Sequence, residues 1–318
     1  MTTREYDTNQ EILQDVKNGK ARPWKPKKTR NLVLSDSFKR LGNDKKSSRT
    51  KLCACQLGFL KNLETGAKTL KYAMFCQVPL CPMCQWRKSL KMFFQLSKVM
   101  DETERRHESL VPIFLTCTVK NCRGEELHGT VDAVLQGWHN FNRHRKAQKL
   151  IKGWFRALEI TYNAKCDTFH PHIHAILLVD KSYFKSKDYM QTVDWVRLWR
   201  TSAGLDYDPI CDIRKVKANK GKHKAVAEVA KYTLKDSEFL TKDDDLTDKL
   251  VTILDSALYK RRLVAYGGVL KQIAKELKAD KPDEGDLVHI DEDAIREDVA
   301  TVLETYSWSF GASNYVKV

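Results

Sequence analysis

The sequence predicts an α+β protein: an antiparallel sheet of about five strands with flanking helices, a cysteine-rich segment before it and a helical region after it. Three observations point there. From residue 111 the apolar pattern switches between periods of two and 3.6 in the order β-α-β-β-α-β-α. Two strand-like runs are joined by the short polar link AKCDTF, which suits a hairpin rather than a parallel crossover. Five of the nine cysteines fall between residues 53 and 84.

The elements follow in order. Residues 84–106 carry Leu90, Phe93, Phe94, Leu96, Val99 and Met100 near helical spacing. VPIFLTCTV (111–119) is apolar and β-branched, so it reads as a buried strand. A helix over 131–148 turns Val134, Leu135, Trp138 and Phe141 inward. FRALEITYN (155–163) and HIHAILLV (172–179) are strands. Residues 187–202 form a helix with Val193, Val196, Leu198 and Trp199. ICDIRKVKA (210–218) alternates like a half-buried strand, and 225–237 is a helix. The helices are expected on one face of the sheet.

At 318 residues the chain predicts roughly two domains. Its 42% hydrophobic content excludes a mainly disordered chain. No apolar run approaches the ~18–20 residues of a membrane span, and the N-terminus has no apolar signal core, so a cytoplasmic protein is expected. The net charge of +15 points to a polyanionic partner, first of all nucleic acid. The charge is uneven: residues 1–50 carry net +7 and residues 281–318 net −6. RPWKPKKTR (22–30) therefore reads as part of a basic flexible arm over 1–50, and 281–318 as an acidic tail.

His170, His172 and His174 alternate along one strand and project to one side. Imidazoles crowded on an apolar strand need partners or a metal. With the turn centred near Cys166–Asp167, Glu159 is expected opposite His174, as a carboxylate ligand. Such N/O ligation suits Mn²⁺, Mg²⁺ or Zn²⁺ and leaves positions open for Lewis-acid work on a phosphoryl oxygen.

On the expected helix 225–237, Glu228, Tyr232 and Lys235 share one stripe. A phenol beside a carboxylate and an ammonium is equipped to attack phosphorus, although such a face is more often plain solvated surface. The preceding basic stretch offers Arg214, Lys215, Lys217, Lys220, Lys222 and Lys224 to phosphates. Among the cysteines, Cys81 and Cys84 form a CxxC knuckle with Cys76 five residues upstream. A fourth thiolate, Cys55 first and Cys53 close behind, would close a structural Zn²⁺ site.

FLTCTVKN, EITYN followed by HPHIHAILLV, and AEVAKYTLK resemble, in order, the three motifs of rolling-circle plasmid replication initiators. These belong to the HUH endonuclease superfamily, and the match is to the group with a single catalytic Tyr and a nearby Glu. CQVPLCPMCQWRKSLK resembles that group's cysteine segment. The resemblance spans roughly residues 50–270 and implies the HUH endonuclease fold. It implies His172 and His174 as ligands of Mn²⁺ or Mg²⁺. Tyr232 would be the nucleophile that nicks plasmid DNA at the double-strand origin and keeps a 5′-phosphotyrosine link. Glu228 would activate water at termination, and host helicase and polymerase would be partners.

The expected organisation is the arm over 1–50, a zinc-binding segment and helix over 51–106, and a nicking domain over 107–240. A helical basic region over 241–280 and the tail complete it. Origin specificity is expected in the N-terminal 50 residues, the basic loops or the C-terminal region, first of all after residue 240, where 260–278 reads as a DNA-facing helix. The alternatives are a mobilisation relaxase or single-Tyr transposase, and a zinc-stabilised DNA-binding regulator without chemistry.

Overall fold

The computed structural model describes residues 11–217, 220–231, 234–279, 285–290 and 300–318. In chain order its elements begin with β1 (Val16–Lys17), β2 (Lys20–Ala21), α1 (Trp24–Arg40), α2 (Asp44–Leu52), β3 (Gln56–Asn62), β4 (Lys68–Ala73) and α3 (Pro82–Arg106). Then come β5 (Leu110–Thr118), α4 (Gly124–Arg143), α5 (Arg145–Leu150), β6 (Gly153–Asn163), β7 (Thr168–Asp180), α6 (Thr192–Ala203), β8 (Cys211–Lys215) and α7 (Lys220–Val229). The remainder are α8 (Asp236–Phe239), α9 (Asp244–Leu258), β9 (Val264–Gly267), α10 (Gly268–Glu276), β10 (Thr301–Ser309) and β11 (Asn314–Lys317). The chain forms two compact units, one of Met1–Arg87, Lys242–Val251 and Asp286–Val318, the other of Lys88–Thr241 and Thr252–Gly285. The fold is α+β with antiparallel sheets and flanking helices.

The second unit is built on a five-stranded antiparallel sheet in the order β8-β5-β7-β6-β9. Its helices cover both faces, not one. The cause lies in β7, whose run Ala175–Val179 is buried throughout and so is apolar on both sides. On one face Phe155, Ile176 and Leu178 pack with Met92, Leu96 and Val99 of α3, Val226 and Val229 of α7, and Leu270 and Ile273 of α10. On the other, Trp138 of α4 meets Trp154 of β6 edge to face at 5.4 Å. There α6 turns Trp195 inward while Val193 stays exposed, and Trp199 donates to the Thr118 carbonyl at 2.8 Å.

The first unit holds a four-stranded sheet, β11-β10-β3-β4, which the sequence reading did not foresee. It overturns two expectations. The basic arm is instead two helices, α1 and α2, seated by Trp24, Leu34 and Phe38. Trp24 packs against Phe59 and Trp86, and its indole N–H donates to Asp15 at 2.7 Å. The acidic tail supplies strands β10 and β11, because Glu304, Tyr306 and Trp308 recur every second residue and all point inward. Glu304 is satisfied there by Lys68 at 3.0 Å, Lys317 at 2.9 Å and the Tyr306 hydroxyl at 2.9 Å. The most acidic stretch, 291–299, lies outside the described residues.

Three further expectations change. The helix over 131–148 breaks at His144, giving α4 and α5. The helix over 225–237 ends at Val229; Tyr232 lies outside the described residues and α8 begins only at Asp236. Residues 260–278 are not one helix: Val264–Gly267 pair with β6, buried Arg156 donates to the carbonyls of Arg262 and Leu263 at 3.0 and 2.9 Å, and α10 begins only at Gly268. Gly268 then turns the chain with φ +54°, where a Cβ would lie 2.2 Å from the Lys152 carbonyl oxygen. α10 buries its apolar face in the core.

Helices α4 and α6 meet at Gly137. A Cβ there would stand 2.9 Å from the Ala203 methyl and 3.0 Å from its Cα. Gly137→Ala gains about 1 kcal/mol of helix propensity, but overpacking of about 1–3 kcal/mol works against it. Because the clash includes backbone, the guanidinium midpoint of the variant should fall; a raised midpoint would show that the helices separate freely.

Candidate metal centres and groove

The β6–β7 hairpin aligns Glu159 with His172 and Ala157 with His174. The expected pairing of Glu159 with His174 is thus off by two residues, because the turn is centred one residue earlier. The side chains still converge. Glu159 Oε2 lies 3.0 Å from His174 Nε2 and 3.5 Å from His172 Nε2, and the two Nε2 atoms are 3.1 Å apart. Ligands about 2.1 Å from one ion and near right angles to each other stand about 3 Å apart, so the triad fits one divalent cation. Burial opposes charge on Glu159, but the two imidazoles outweigh it and hold the carboxyl well below the usual range.

Both rings are aimed from behind. His172 Nδ1 lies 3.0 Å from the His170 carbonyl and His174 Nδ1 lies 3.0 Å from Thr116 Oγ1. With Nδ1–H donating in each case, both Nε2 lone pairs face the shared point. Sequence reasoning missed Thr116, although it alternates in FLTCTV and pairs directly with His174. His170 is not part of the ligand triad. Its ring stacks on His172 at 5.1 Å, and burial followed by that neighbour lowers its pKa.

Beside His174 a groove of about 580 Å³ runs between β5, β8 and α7. Its walls include Thr116, Arg214, Lys217, Lys224 and Glu228. The predicted basic residues divide. Arg214 pairs with Asp212 at 2.5 Å and Lys215 lies over the Phe184 ring at 4.7 Å, both within this wall. Lys222 is held by Asp101 and Glu104, each at 2.6 Å, and the side chain of Lys220 lies outside the described residues. α7 stops at Val229, so Glu228 and Lys235 do not share one helix, and Tyr232 lies outside the described residues. Glu228 pairs with Lys231 at 2.5 Å, and Lys235 pairs with Glu238 at 3.4 Å.

In the first unit Cys53, Cys76, Cys81 and Cys84 gather, and Cys55 does not. The Sγ separations are 3.6 Å for Cys53–Cys84 and Cys53–Cys81, and 3.7 Å for Cys76–Cys84. A tetrahedron of thiolates about 2.3 Å from zinc has edges of about 3.8 Å, so the four fit a closed Zn²⁺ site. Hydrogen bonds from the neighbouring thiols lower the Cys76 pKa, while burial raises that of Cys81. Fully buried Lys28 clamps the loop, donating to the carbonyls of Lys51 and Cys53 at 2.6 and 2.7 Å and to Cys55 Sγ at 3.1 Å. That contact accounts for the second cysteine of Cys-Ala-Cys, which the sequence had favoured as a ligand.

Residues 67–316 match the model of the Rep_1 replication protein family. The chain belongs to the Rep_1 family. This replication protein is 38% identical to a "Protein rep" of Bacillus amyloliquefaciens, over 96% of its own length and 97% of the relative's. It is 36% identical to a "Protein rep" of Streptococcus pneumoniae serotype 2 (strain D39 / NCTC 7466), over 98% and 97%. A third "Protein rep", from a Bacillus species, is 39% identical over 77% and 85%. No solved structure matches this Rep_1 protein. The family match agrees with the resemblance to plasmid replication initiators read from the motifs. Among the described residues, no helix is long and apolar enough to cross a membrane.

Two outcomes test the centres. Thr116→Val should weaken Mn²⁺ binding to the DNA-free Rep_1 protein about 10- to 100-fold, and Thr116→Ser should restore it; calorimetric titration reads this, and an unchanged Kd would mean that the ring is held otherwise. Elemental analysis should find about one zinc per chain, lost when Cys81 and Cys84 are both replaced by Ser; zinc retained by that double variant would refute the site.

Proposed function

We propose that this Rep_1 protein is a rolling-circle plasmid replication initiator with an HUH nicking domain, which cuts and rejoins one DNA strand at its plasmid's double-strand origin. The observation that carries the reading is the groove whose lining joins His174 of the Glu159–His172–His174 triad, Glu228, and the cations Arg214, Lys217 and Lys224. A ligand triad with open positions, a basic track for phosphates and a carboxylate at hand are the parts that phosphodiester transfer needs.

Glu159, His172 and His174 would hold Mn²⁺ or Mg²⁺. When bound, that cation supplies Lewis-acid polarisation of a non-bridging phosphate oxygen. The protein's own residues do the rest. Arg214, Lys217 and Lys224 seat the strand through its phosphates. The Tyr232 phenol gives up its proton to solvent as its oxygen attacks the scissile phosphorus, and the bond from phosphorus to the 3′ oxygen breaks. That oxygen takes up a proton and leaves as a free 3′-OH, while the 5′ phosphate stays on the tyrosine. Rejoining reverses these bonds: a 3′-OH attacks the phosphotyrosine and the phenol departs. Because the phosphoester energy is conserved, no nucleotide triphosphate is consumed. Glu228 accepts a proton from water for the terminating cleavage, so that no second tyrosyl link is made. The cysteine cluster, with zinc bound, has all four ligand positions taken by protein and serves structure. Host helicase and polymerase act on the opened origin.

The test uses labelled single-stranded oligonucleotides tiling the plasmid that encodes the chain, with Mn²⁺ or Mg²⁺. The wild type should form an adduct that survives denaturation, and Tyr232→Phe should abolish it. An adduct unchanged in Tyr232→Phe, or intact DNA with the wild type, rejects the assignment and leaves a DNA-binding regulator. Glu228→Ala should retain nicking while release at termination slows by about 10²-fold or more, the usual scale of a lost general base. Collapse of the nicking step itself would reassign Glu228.

A further inference from the structure

Helices α1 and α2 form a hairpin whose outer surface the nicking reading leaves unused. Over residues 24–52 there are ten Lys and Arg against two Asp, although Lys28 is fully buried and Arg40 pairs with Asp248 at 2.7 Å. The turn between the helices is only three residues, Leu41–Asn43, and Gly42 takes φ +71° to make it. Asn43 caps α2, its side-chain oxygen accepting from the Lys46 N–H at 3.1 Å. The facing sides are small and polar: Ser35 Oγ donates to the Ser47 carbonyl at 3.0 Å, and Thr50 is fully buried. The helices therefore hold one another closely and leave α2 a complete outer face.

That outer face carries Lys45, Ser48, Arg49 and Leu52, at i, i+3, i+4 and i+7, and all four are exposed. The far end of α2 is fixed by the cysteine cluster. Its C-cap residue is Cys53, and the Arg49 guanidinium donates to the Cys76 carbonyl. A nine-residue helix is about 13 Å long and, with side chains, about 10–12 Å across, the width of the B-DNA major groove. Lys and Arg suit guanine edges and phosphates, a Ser hydroxyl suits either, and an exposed Leu suits a thymine methyl.

We propose that α2 is the element with which this protein reads double-stranded origin DNA, entering the major groove with the stripe from Lys45 to Leu52. This rests on the reading of the chain as an origin-binding initiator. It moves sequence recognition away from residues 260–278, where Val264–Gly267 are a strand of the sheet and α10 buries Leu270, Ile273 and Ala274 in the core. It also gives the cysteine cluster a task, that of holding the reading helix in place.

The experiment uses the full-length, zinc-loaded protein and fluorescence anisotropy. Probes are labelled duplexes tiling the plasmid around the coding sequence, and scrambled duplexes of equal length. The variant is Lys45→Gln combined with Ser48→Ala; both residues are exposed, and Arg49 is spared because it braces the cysteine loop. Affinity for the preferred duplex should fall at least about tenfold, the scale of a lost base contact, with a smaller loss on scrambled DNA. The salt slope should drop by about one for the lost lysine. Adduct formation with single-stranded oligonucleotide should stay within about twofold, since these residues are absent from the groove beside His174. Unchanged duplex affinity, or equal losses on both duplexes, overturns the proposal. A wild type that selects a duplex but forms no tyrosyl adduct would reject the nicking reading and leave this one standing.

Discussion

The β6–β7 register is the constraint from which the site follows. Glu159, His172 and His174 share a face only because side chains alternate and the hairpin closes with one parity. A slip of one residue would send both imidazoles to the opposite face. Burial of both faces of β7 prevents that slip, since it would drive charged and imidazole groups into the packing against α4. The ligand face is continuous with the core of α3, α7 and α10, so the same packing that buries Val226 and Val229 brings Glu228 to the groove. Position in the core and position at the site are one decision.

The two candidate centres differ in kind. The triad presents three ligand atoms on one side and opens to a basic groove. The cysteine set surrounds its centre, is buried, and is joined to a lysine with no exposed surface. A buried ammonium is costly alone, and four thiolates around a divalent ion carry a net negative charge that offsets it. One arrangement suits turnover and the other suits permanence.

Much of this was legible in the residues. Alternation put His172 and His174 on one face, and a short polar link made the strands a hairpin. The turn centre was not legible, because several positions in AKCDTF accept a turn, so Glu159 was placed two residues out of register. Cys53 and Cys55 could not be separated by spacing alone; the distinction comes from Lys28, a residue of another helix. Net charge misled twice. Basic residues 22–30 looked like an arm although Trp24, Lys28 and Asn31 are buried, and the acid-rich end hid the alternation of Glu304, Tyr306 and Trp308. Charge describes the surface, whereas strand and helix follow the buried residues between.

The order of strands in the first unit sets a schedule for its making. β3 lies between β4, which follows it at once, and β10, which comes some 240 residues later. Strands β10 and β11 also close over the cysteine loop, with the Trp308 N–H on the Cys55 carbonyl and the Tyr315 hydroxyl on that of Ala54. While the chain is still being synthesised, the thiols leave the ribosome long before their cover exists. The second unit has every strand of its five-stranded sheet in hand earlier. The first part to emerge is therefore the last to be finished, and a nascent chain stalled before residue 300 would carry a complete five-stranded sheet and an uncovered cysteine loop.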